Sequence, residues 1–344
     1  MADLRYDPVT GVWVAIARNR DSRPMEFVAI DSVQHQLICP FCSGNEDETP
    51  GAIALFEMSD GGPRKLAAAQ SDSDQAWLSR IVPNKFPSLI GPSVDIEPSQ
   101  SIESGPYAHV KQDGIQEILI PSPRHVTSFS ELTDGELITC FFAAQKRLQE
   151  IENQNLVQHT MLFMNCRLEA GASLGHIHLQ IMGAPTPSPA IMHRQKLDKL
   201  NRAEKQQPIV QTVADWERQQ QTRMLEVTDN FSVFCPFASR FAFQVWIVPT
   251  DMKQLFAEIG SGASQELATL MRKYVTRLES QLKEPAYNIL LHQPPTGETS
   301  KEDDFSPWYF EIFPRVSRAA GFELGTDIWV NPMPPETAAK RLRT

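Results

Sequence analysis

Residues 171–182 read G-A-S-L-G-H-I-H-L-Q-I-M, and their interpretation decides the fold. His176, His178 and Gln180 alternate with Ile177, Leu179 and Ile181. That is the period of a β-strand, so the three polar side chains share one face. A lone histidine on such a face is ordinarily a satisfied core residue. Two at i and i+2, followed by glutamine, would each need buried partners, and a functional site is the simpler explanation. Just ahead of them, Gly171, Ala172 and Ser173 are small enough for backbone N–H groups to approach an anion, with the Ser173 hydroxyl as a further donor. Such a loop is a weak signal alone. Directly before H-x-H-x-Q it reads as a phosphate cradle.

Working outward, this strand closes a unit that occurs twice. The first copy opens with I-L-I-P at 118–121 and a loop through His125. A helix follows from about Thr133 to Glu152, burying Leu137, Ile138, Phe141, Phe142, Leu148 and Ile151. Strand 160–165, a small-residue loop and strand 176–182 complete it. The second copy has a strand ending at Pro249 and a helix from about Ser264 to Lys283. That helix sets Leu267, Leu270, Met271, Tyr274, Val275, Leu278 and Leu282 at helical spacing. Y-N-I-L-L-H-Q, a polar loop and W-Y-F-E-I-F-P come next. The copies lie about 130 residues apart, share a proline after the first strand, and carry Gln-Ile and Glu-Ile pairs in the last. An α+β chain of two repeats is therefore expected, each a mainly antiparallel sheet with packed helices. The halves are 1–185 and 226–344, joined by a helical connection at 186–225. Within it, the Gln- and charge-rich segment 192–221 reads as exposed helix. The Pro- and Ser-rich stretch 91–106 reads as a loop, and the tail P-P-E-T-A-A-K-R-L-R as a short helix opened by proline.

The chain has 344 residues, 41% hydrophobic and 22% charged, an ordinary globular balance. Its net charge of -10 argues against nucleic acid as a main partner. A small anionic substrate requires basic residues gathered at one site. The N-terminus lacks the apolar stretch of a signal peptide, and no run approaches membrane-spanning length, so a soluble cytoplasmic protein is expected. Five cysteines in that setting read as reduced thiols or metal ligands.

Cys39 and Cys42 form a C-P-F-C knuckle. A redox dithiol is the rival reading, but it needs a helix starting at the first cysteine to depress the thiol pKa. The sequence that follows, S-G-N-E-D-E-T-P-G, is a poor helix, and its acidic residues would raise a thiol pKa. Metal is the better reading. Two cysteines are half a tetrahedral site, and His125, in the loop S-P-R-H, with His176 would complete Cys2His2.

With these motifs assembled, the chain resembles the galactose-1-phosphate uridylyltransferase family of the histidine-triad superfamily. D-P-V-T-G-V-W-V at 7–14, C-P-F-C-S-G-N-E-D-E-T-P, V-P-N-K-F-P-S-L, S-P-R-H, G-A-S-L-G-H-I-H-L-Q and the C-terminal run from I-F-P-R-V-S-R-A-A-G-F-E onward occur in the family's order. The resemblance implies two histidine-triad-like repeats. It implies zinc on Cys39, Cys42, His125 and His176, His178 as covalent nucleophile, and Gln180 holding a phosphoryl oxygen. Asn165 and Ser173 would touch phosphates, within the loop of Gly171 and Ala172. Arg20, Arg23 and Asn84 would lie near the nucleotide. Phe322 and Glu323 would help bind the sugar, in such dimers often across the subunit interface.

The implied activity is UDP-glucose:hexose-1-phosphate uridylyl transfer through a nucleotidyl-histidine. The implied partners are a nucleotide sugar, a sugar 1-phosphate or inorganic phosphate, and a second copy in a homodimer, with no nucleic acid and no membrane. Departures matter. Where uridylyltransferases commonly read G-C-S-x-P-H-P-H-G-Q, this chain has Ala172, Gly175, Ile177 and Leu179. That pattern is closer to sugar-nucleotide and dinucleoside tetraphosphate phosphorylases, which makes phosphate the alternative acceptor. A hydrolase and a non-catalytic zinc nucleotide-binding protein are the remaining rivals. The family's second metal site is eroded: its H-x-H appears here as Tyr309-Phe310-Glu311, leaving His292, with His193 as a possible remnant.

Overall fold

Both repeats build one continuous sheet. The computed structural model describes residues 3–17, 38–66, 76–91, 113–295 and 307–344. Arg20, Arg23 and all but the first residue of the 91–106 stretch lie outside these residues. A small sheet pairs β1 (Asp3–Tyr6) with β2 (Trp13–Ile16). The large one takes β3 (Ala54–Ser59), β4 (Gly62–Lys65), β5 (Ser79–Pro83), β6 (Ile115–Ile120), β7 (His159–Cys166) and β8 (Leu179–Ala184) from the first half. From the second half come β9 (Met224–Val227), β10 (Phe231–Phe234), β11 (Val245–Pro249), β12 (Tyr287–His292) and β13 (Tyr309–Pro314). The order is β4-β3-β5-β6-β8-β7-β12-β13-β11-β10-β9, with every pairing antiparallel. The halves join where β7 meets β12, with Cys166 opposite Tyr287 and Phe163 opposite Leu290. A last strand, β14 (Trp329–Asn331), runs parallel to β2 in the small sheet.

Helix α1 (Asp134–Asn153) starts at a capping box: Thr133 accepts from the Glu136 N–H while the Glu136 carboxylate accepts from the Thr133 N–H. Its buried stripe includes Leu137, Phe141, Leu148 and Ile151, each worth about 1.5–3 kcal/mol when removed from water. The segment expected as one exposed helix is two: α2 (Pro189–Lys205) and α3 (Ile209–Gln220). The break has a clear cause. Gln206 adopts the left-handed conformation at φ 59°, and Pro208 lacks the N–H that a continuing helix would use. Nor is α3 wholly exposed, since Ile209, Val210, Ala214 and Glu217 are buried. Helix α4 (Ser261–Gln281) repeats the role of α1, and the two pack together over one face of the sheet. A short α5 (Gly321–Thr326) and the proline-led α6 (Pro335–Arg343) finish the chain.

The opposite face is covered in two separate patches. Phe41 and Trp77 lie over Val82, Ile118 and Ile120 in the first half. Val9 and α3 lie over Phe234, Trp246, Val248 and Tyr309 in the second. Each patch leaves a cleft beside it. Among the described residues, no helix is long and apolar enough to cross a membrane.

Candidate active site

The cysteine knuckle is pinned to the loop that carries His125. Ser43 N–H donates to Pro123 O at 2.9 Å, and the Asn45 amide closes back on Cys39 O at 2.9 Å. Glu136 anchors the other side. It accepts from Ser122 Oγ at 2.6 Å and from Arg124 at 2.6 and 2.9 Å. Burial alone would raise this carboxyl, but Arg124 and Ser122 hold it at about 2. The result brings Cys39, Cys42, His125 and His176 together with all four ligand atoms within 4.8 Å of one another. Cys39 Sγ is 3.5 Å from His176 Nδ1, and Cys42 Sγ is 3.5 Å from His125 Nδ1. Burial, with His125 and His178 close by, lowers His176 to about 4, so its ring is neutral and able to ligate. Burial and the neighbouring Cys39 push the Cys42 thiol up to about 11. Two thiols and two imidazoles at this separation fit a tetrahedral metal ion.

His176 and His178 were expected inside the last strand of the first repeat, but β8 begins only at Leu179. Both flanking ladders stop there: β6 pairs with β8 as far as Leu119↔Leu179, and β7 as far as Met164↔Leu179. Past Ile120 the β6 chain turns away through Pro121 and Pro123 to reach His125. The freed backbone is reused. Ile177 N–H donates to Val126 O at 2.9 Å, and His176 O lies 3.0 Å from His178 Nδ1.

That last contact fixes the chemistry of His178. A carbonyl can only accept, so Nδ1 carries the hydrogen and Nε2 carries the lone pair. The residue is 5% exposed, and burial lowers its pKa although the bond to His176 O opposes the shift. It is a neutral, oriented imidazole. Phe41 meets its ring edge-on at a centroid distance of 5.1 Å.

His178 opens onto a cleft of about 770 Å³, lined also by Ser173, Gln180, Asn84, Lys85 and Phe86. That volume suits a small-molecule ligand. Gln180 Oε1 accepts from Gln116 Nε2 at 3.2 Å, while Gln116 Oε1 accepts from the Ser88 N–H at 2.7 Å. Because a backbone N–H can only donate, this chain sets both amides and leaves the Gln180 NH2 for the cleft.

Not every expected residue reaches the cleft. Asn165 instead ties the loop down, donating to Gly171 O at 3.4 Å and accepting from Asn288 at 2.8 Å. Gly171, at φ 96°, supplies the left-handed turn, and Ala172 is buried behind Ser173. Phe322 and Glu323 sit on α5, with Phe322 52% exposed and the Glu323 carboxylate capping the Ala320 N–H. Gln116, Phe41 and Lys85 were not singled out in the sequence. Gln116 shares one strand face with Ile118 and Ile120, which placed a polar residue on the cleft side, and the T-x-x-E box at 133–136 marked Glu136.

Among its described residues, the second repeat shows no cluster that fits a metal ion. His292 Nδ1 accepts from Arg194 at 2.6 Å, and its Nε2 meets Glu311 Oε2 at 2.6 Å. Arg240 grips both Glu311 oxygens at 2.9 and 3.1 Å, and Gln244 donates to Oε1 at 2.5 Å. The candidate ligand atoms are spent on guanidinium groups and on each other. The His193 ring lies against Gly11, and the metal-ligand cluster found among the described residues does not include it.

No protein-family profile matches this sequence. The chain is 28% identical over 345 residues to an ADP-glucose phosphorylase of Arabidopsis thaliana, covering 99% of this chain and 92% of that protein. It is 23% identical over 351 residues to the galactose-1-phosphate uridylyltransferase of Thermotoga maritima, covering 100% and 98%. The crystal structure of an ADP-glucose phosphorylase from Arabidopsis thaliana with bound ADP-glucose superposes at a TM-score of 0.78 and 26% identity, covering 100% of this chain and 99% of that one. Over its whole length the chain is similar to galactose-1-phosphate uridylyltransferases and to an ADP-glucose phosphorylase. It carries H-x-H-x-Q and a Cys2His2 group able to hold a metal ion.

Proposed function

We propose that the protein transfers a nucleoside monophosphate from a nucleotide sugar to a phosphate acceptor through a nucleotidyl group on His178. The observation that carries this reading is the His178 Nδ1 contact with His176 O, which leaves Nε2 unprotonated and facing the cleft. Nε2 attacks the α-phosphorus, the N–P bond forms, and the P–O bond to the sugar 1-phosphate breaks. The attacking ring becomes cationic, and the carbonyl of His176 stabilises it through the retained Nδ1–H. An oxygen of the acceptor then attacks phosphorus, the N–P bond breaks, and neutral His178 is regenerated. The Gln180 amide, the Ser173 hydroxyl and the loop N–H groups hold the non-bridging oxygens, and Lys85 adds positive charge at the cleft wall.

Cys39, Cys42, His125 and His176 would hold zinc, which would supply rigidity. Fixed in that way, the His176 side chain would steady the carbonyl that orients His178. Phe322, exposed on α5, and the half-buried Glu323 beside it do not line this cleft and fit a role at the cleft of a second copy in a homodimer.

The acceptor we assign first is a hexose 1-phosphate, with UDP-glucose as donor. One observation favours a second reading, phosphorolysis by inorganic phosphate: residue 172 is alanine, and the likeness to a phosphorylase runs the length of the chain. The deciding experiment offers UDP-glucose and ADP-glucose with labelled hexose 1-phosphate or labelled phosphate. Label entering nucleotide sugar only from hexose 1-phosphate supports uridylyl transfer. Label from phosphate entering nucleoside diphosphate supports phosphorolysis. Release of nucleoside monophosphate to water alone would overturn both.

A further inference from the structure

The sheet register sets a residue of the second half against the phosphate loop of the first. Leu290, Phe163, Gln180, Ile118 and Val82 stand opposite one another in a single row across β12, β7, β8, β6 and β5. Residues two apart on a strand share a face, so Asn288 and Asn165, also opposite one another, lie on that same face. They stand at the level of His178, which precedes Gln180 by two residues.

Asn288 is buried, and its amide nitrogen lies 2.8 Å from Asn165 Oδ1 and 2.9 Å from Ala170 O. A backbone carbonyl can only accept, so the group facing Ala170 is the NH2. Asn165 must then turn its oxygen toward Asn288, which aims its own NH2 at Gly171 O, 3.4 Å away. One side chain orients a second, and together they hold two consecutive carbonyls of the loop. The loop needs such ties. Its N–H groups close it on itself: Ala170 and Ala172 donate to Arg167 O at 3.2 and 3.0 Å, and Gly171 to Leu168 O at 2.9 Å. Arg167 holds φ 71°, a strained value for a residue with a Cβ, and such strain persists only where the surroundings over-determine it. A further tie, from Arg167 to Glu284 at 3.1 Å, ends on a carboxylate that is 77% exposed and is weak for that reason. Ser173, next to Ala172, lines the cleft with His178.

We propose that Asn288 is a positioning residue for nucleotidyl transfer, contributed by the second half to the site of the first. It acts through Asn165 and the Ala170 carbonyl, and these set where Ser173 and the backbone beside it meet the phosphoryl oxygens. The assignment rests on reading the cleft of His178 as the transfer site.

The experiment follows formation of the nucleotidyl-enzyme in single turnovers of zinc-loaded protein, with UDP-glucose or ADP-glucose varied and no acceptor. Asn288→Asp keeps the shape but sets a carboxylate against the two oxygens that Asn288 now donates to. The saturating rate should fall about 10–100-fold, the loss expected when the loop is displaced by about 1 Å, while the half-saturating concentration changes by less than about threefold. Lowering the pH should narrow the gap to wild type, because a protonated carboxyl regains one donor. Asn288→Ala, which buries no charge, should show the same split between rate and affinity if Asn288→Asp fails to fold. Ile289→Val, on the core face of the same strand, should lower Tm and leave both constants unchanged. A fall in Tm without loss of rate in the Asn288 variants, or a raised half-saturating concentration at constant rate, would overturn the proposal. Wild-type protein that turns over in the steady state without labelling His178 would refute the covalent reading alone, and the same split read on kcat and KM would then judge Asn288. Absence of any turnover would overturn both.

Discussion

Replacing Arg240 with methionine tests how the second half manages without a metal. Glu311 is 1% exposed, and Arg240 is the cation that binds both of its oxygens. After the substitution the carboxylate keeps only the Gln244 amide and the His292 N–H. Removing one partner of a buried ion pair costs about 3–5 kcal/mol, because the remaining charge stays desolvated. For a chain of 344 residues that corresponds to a fall in Tm of about 4–7 °C. Burial would raise the Glu311 carboxyl, but Arg240 and His292 hold it down to about 2 from 4.5. A carboxyl depressed in the folded state stabilises fully above pH 4.5 and loses that contribution as pH falls toward 2. The gap between wild type and Arg240→Met should therefore narrow on acidification through that window. Adding Glu311→Gln to Arg240→Met should recover much of the loss at neutral pH. Thermal unfolding across pH, with metal analysis of each protein, provides the measurement. A fall of less than about 2 °C, or a second metal ion in the wild type that Glu311→Gln removes, would refute the reasoning.

Three further outcomes follow from the first half. Cys39→Ser should lower bound metal well below one ion per chain and Tm by more than about 5 °C, since structural zinc contributes directly to folding; full zinc in that variant would return the knuckle to a redox reading. Because burial lowers the His178 pKa, Nε2 stays unprotonated below pH 6.5, so the acid limb of kcat/KM should lie below that value; a limb at or above it contradicts the geometry. Gln116→Glu replaces the donor that faces Gln180 with an acceptor and turns the Gln180 carbonyl toward the phosphate. It should lower kcat by about 10–100-fold with little change in KM, and partly recover as the new carboxyl is protonated; a rise in KM at constant kcat would assign Gln116 to substrate binding instead.

The sequence carried the helices and strands whose periodicity is local. Helix α1 was legible because its capping box and its apolar stripe lie within one window, and α4 because seven apolar residues repeat at helical spacing. The helix break at Gln206–Pro208 was missed because the polar residues around it mask the loss of one N–H. The start of β8 was missed because alternation continues through His176 while its strand partners stop. Local pattern cannot register where a neighbouring strand ends. The metal cluster was legible because C-x-x-C, S-P-R-H and the first histidine of H-x-H each offer ligands, and the structure brings Cys39, Cys42, His125 and His176 together. Gln116, 64 residues from Gln180, and Arg240, 71 from Glu311, were not, because each acts through a single long-range contact that no spacing encodes.

The measurement closest to the central claim is the intact mass of the protein after incubation with UDP-glucose or ADP-glucose and no acceptor. The account predicts a gain of one nucleoside monophosphate, located on His178, labile to acid and stable to base as a phosphoramidate is. Hexose 1-phosphate or inorganic phosphate should discharge it, and His178→Gly should not acquire it. A folded, metal-loaded His178→Gly protein that still transfers nucleotide at near the wild-type rate, without added imidazole, would contradict the account.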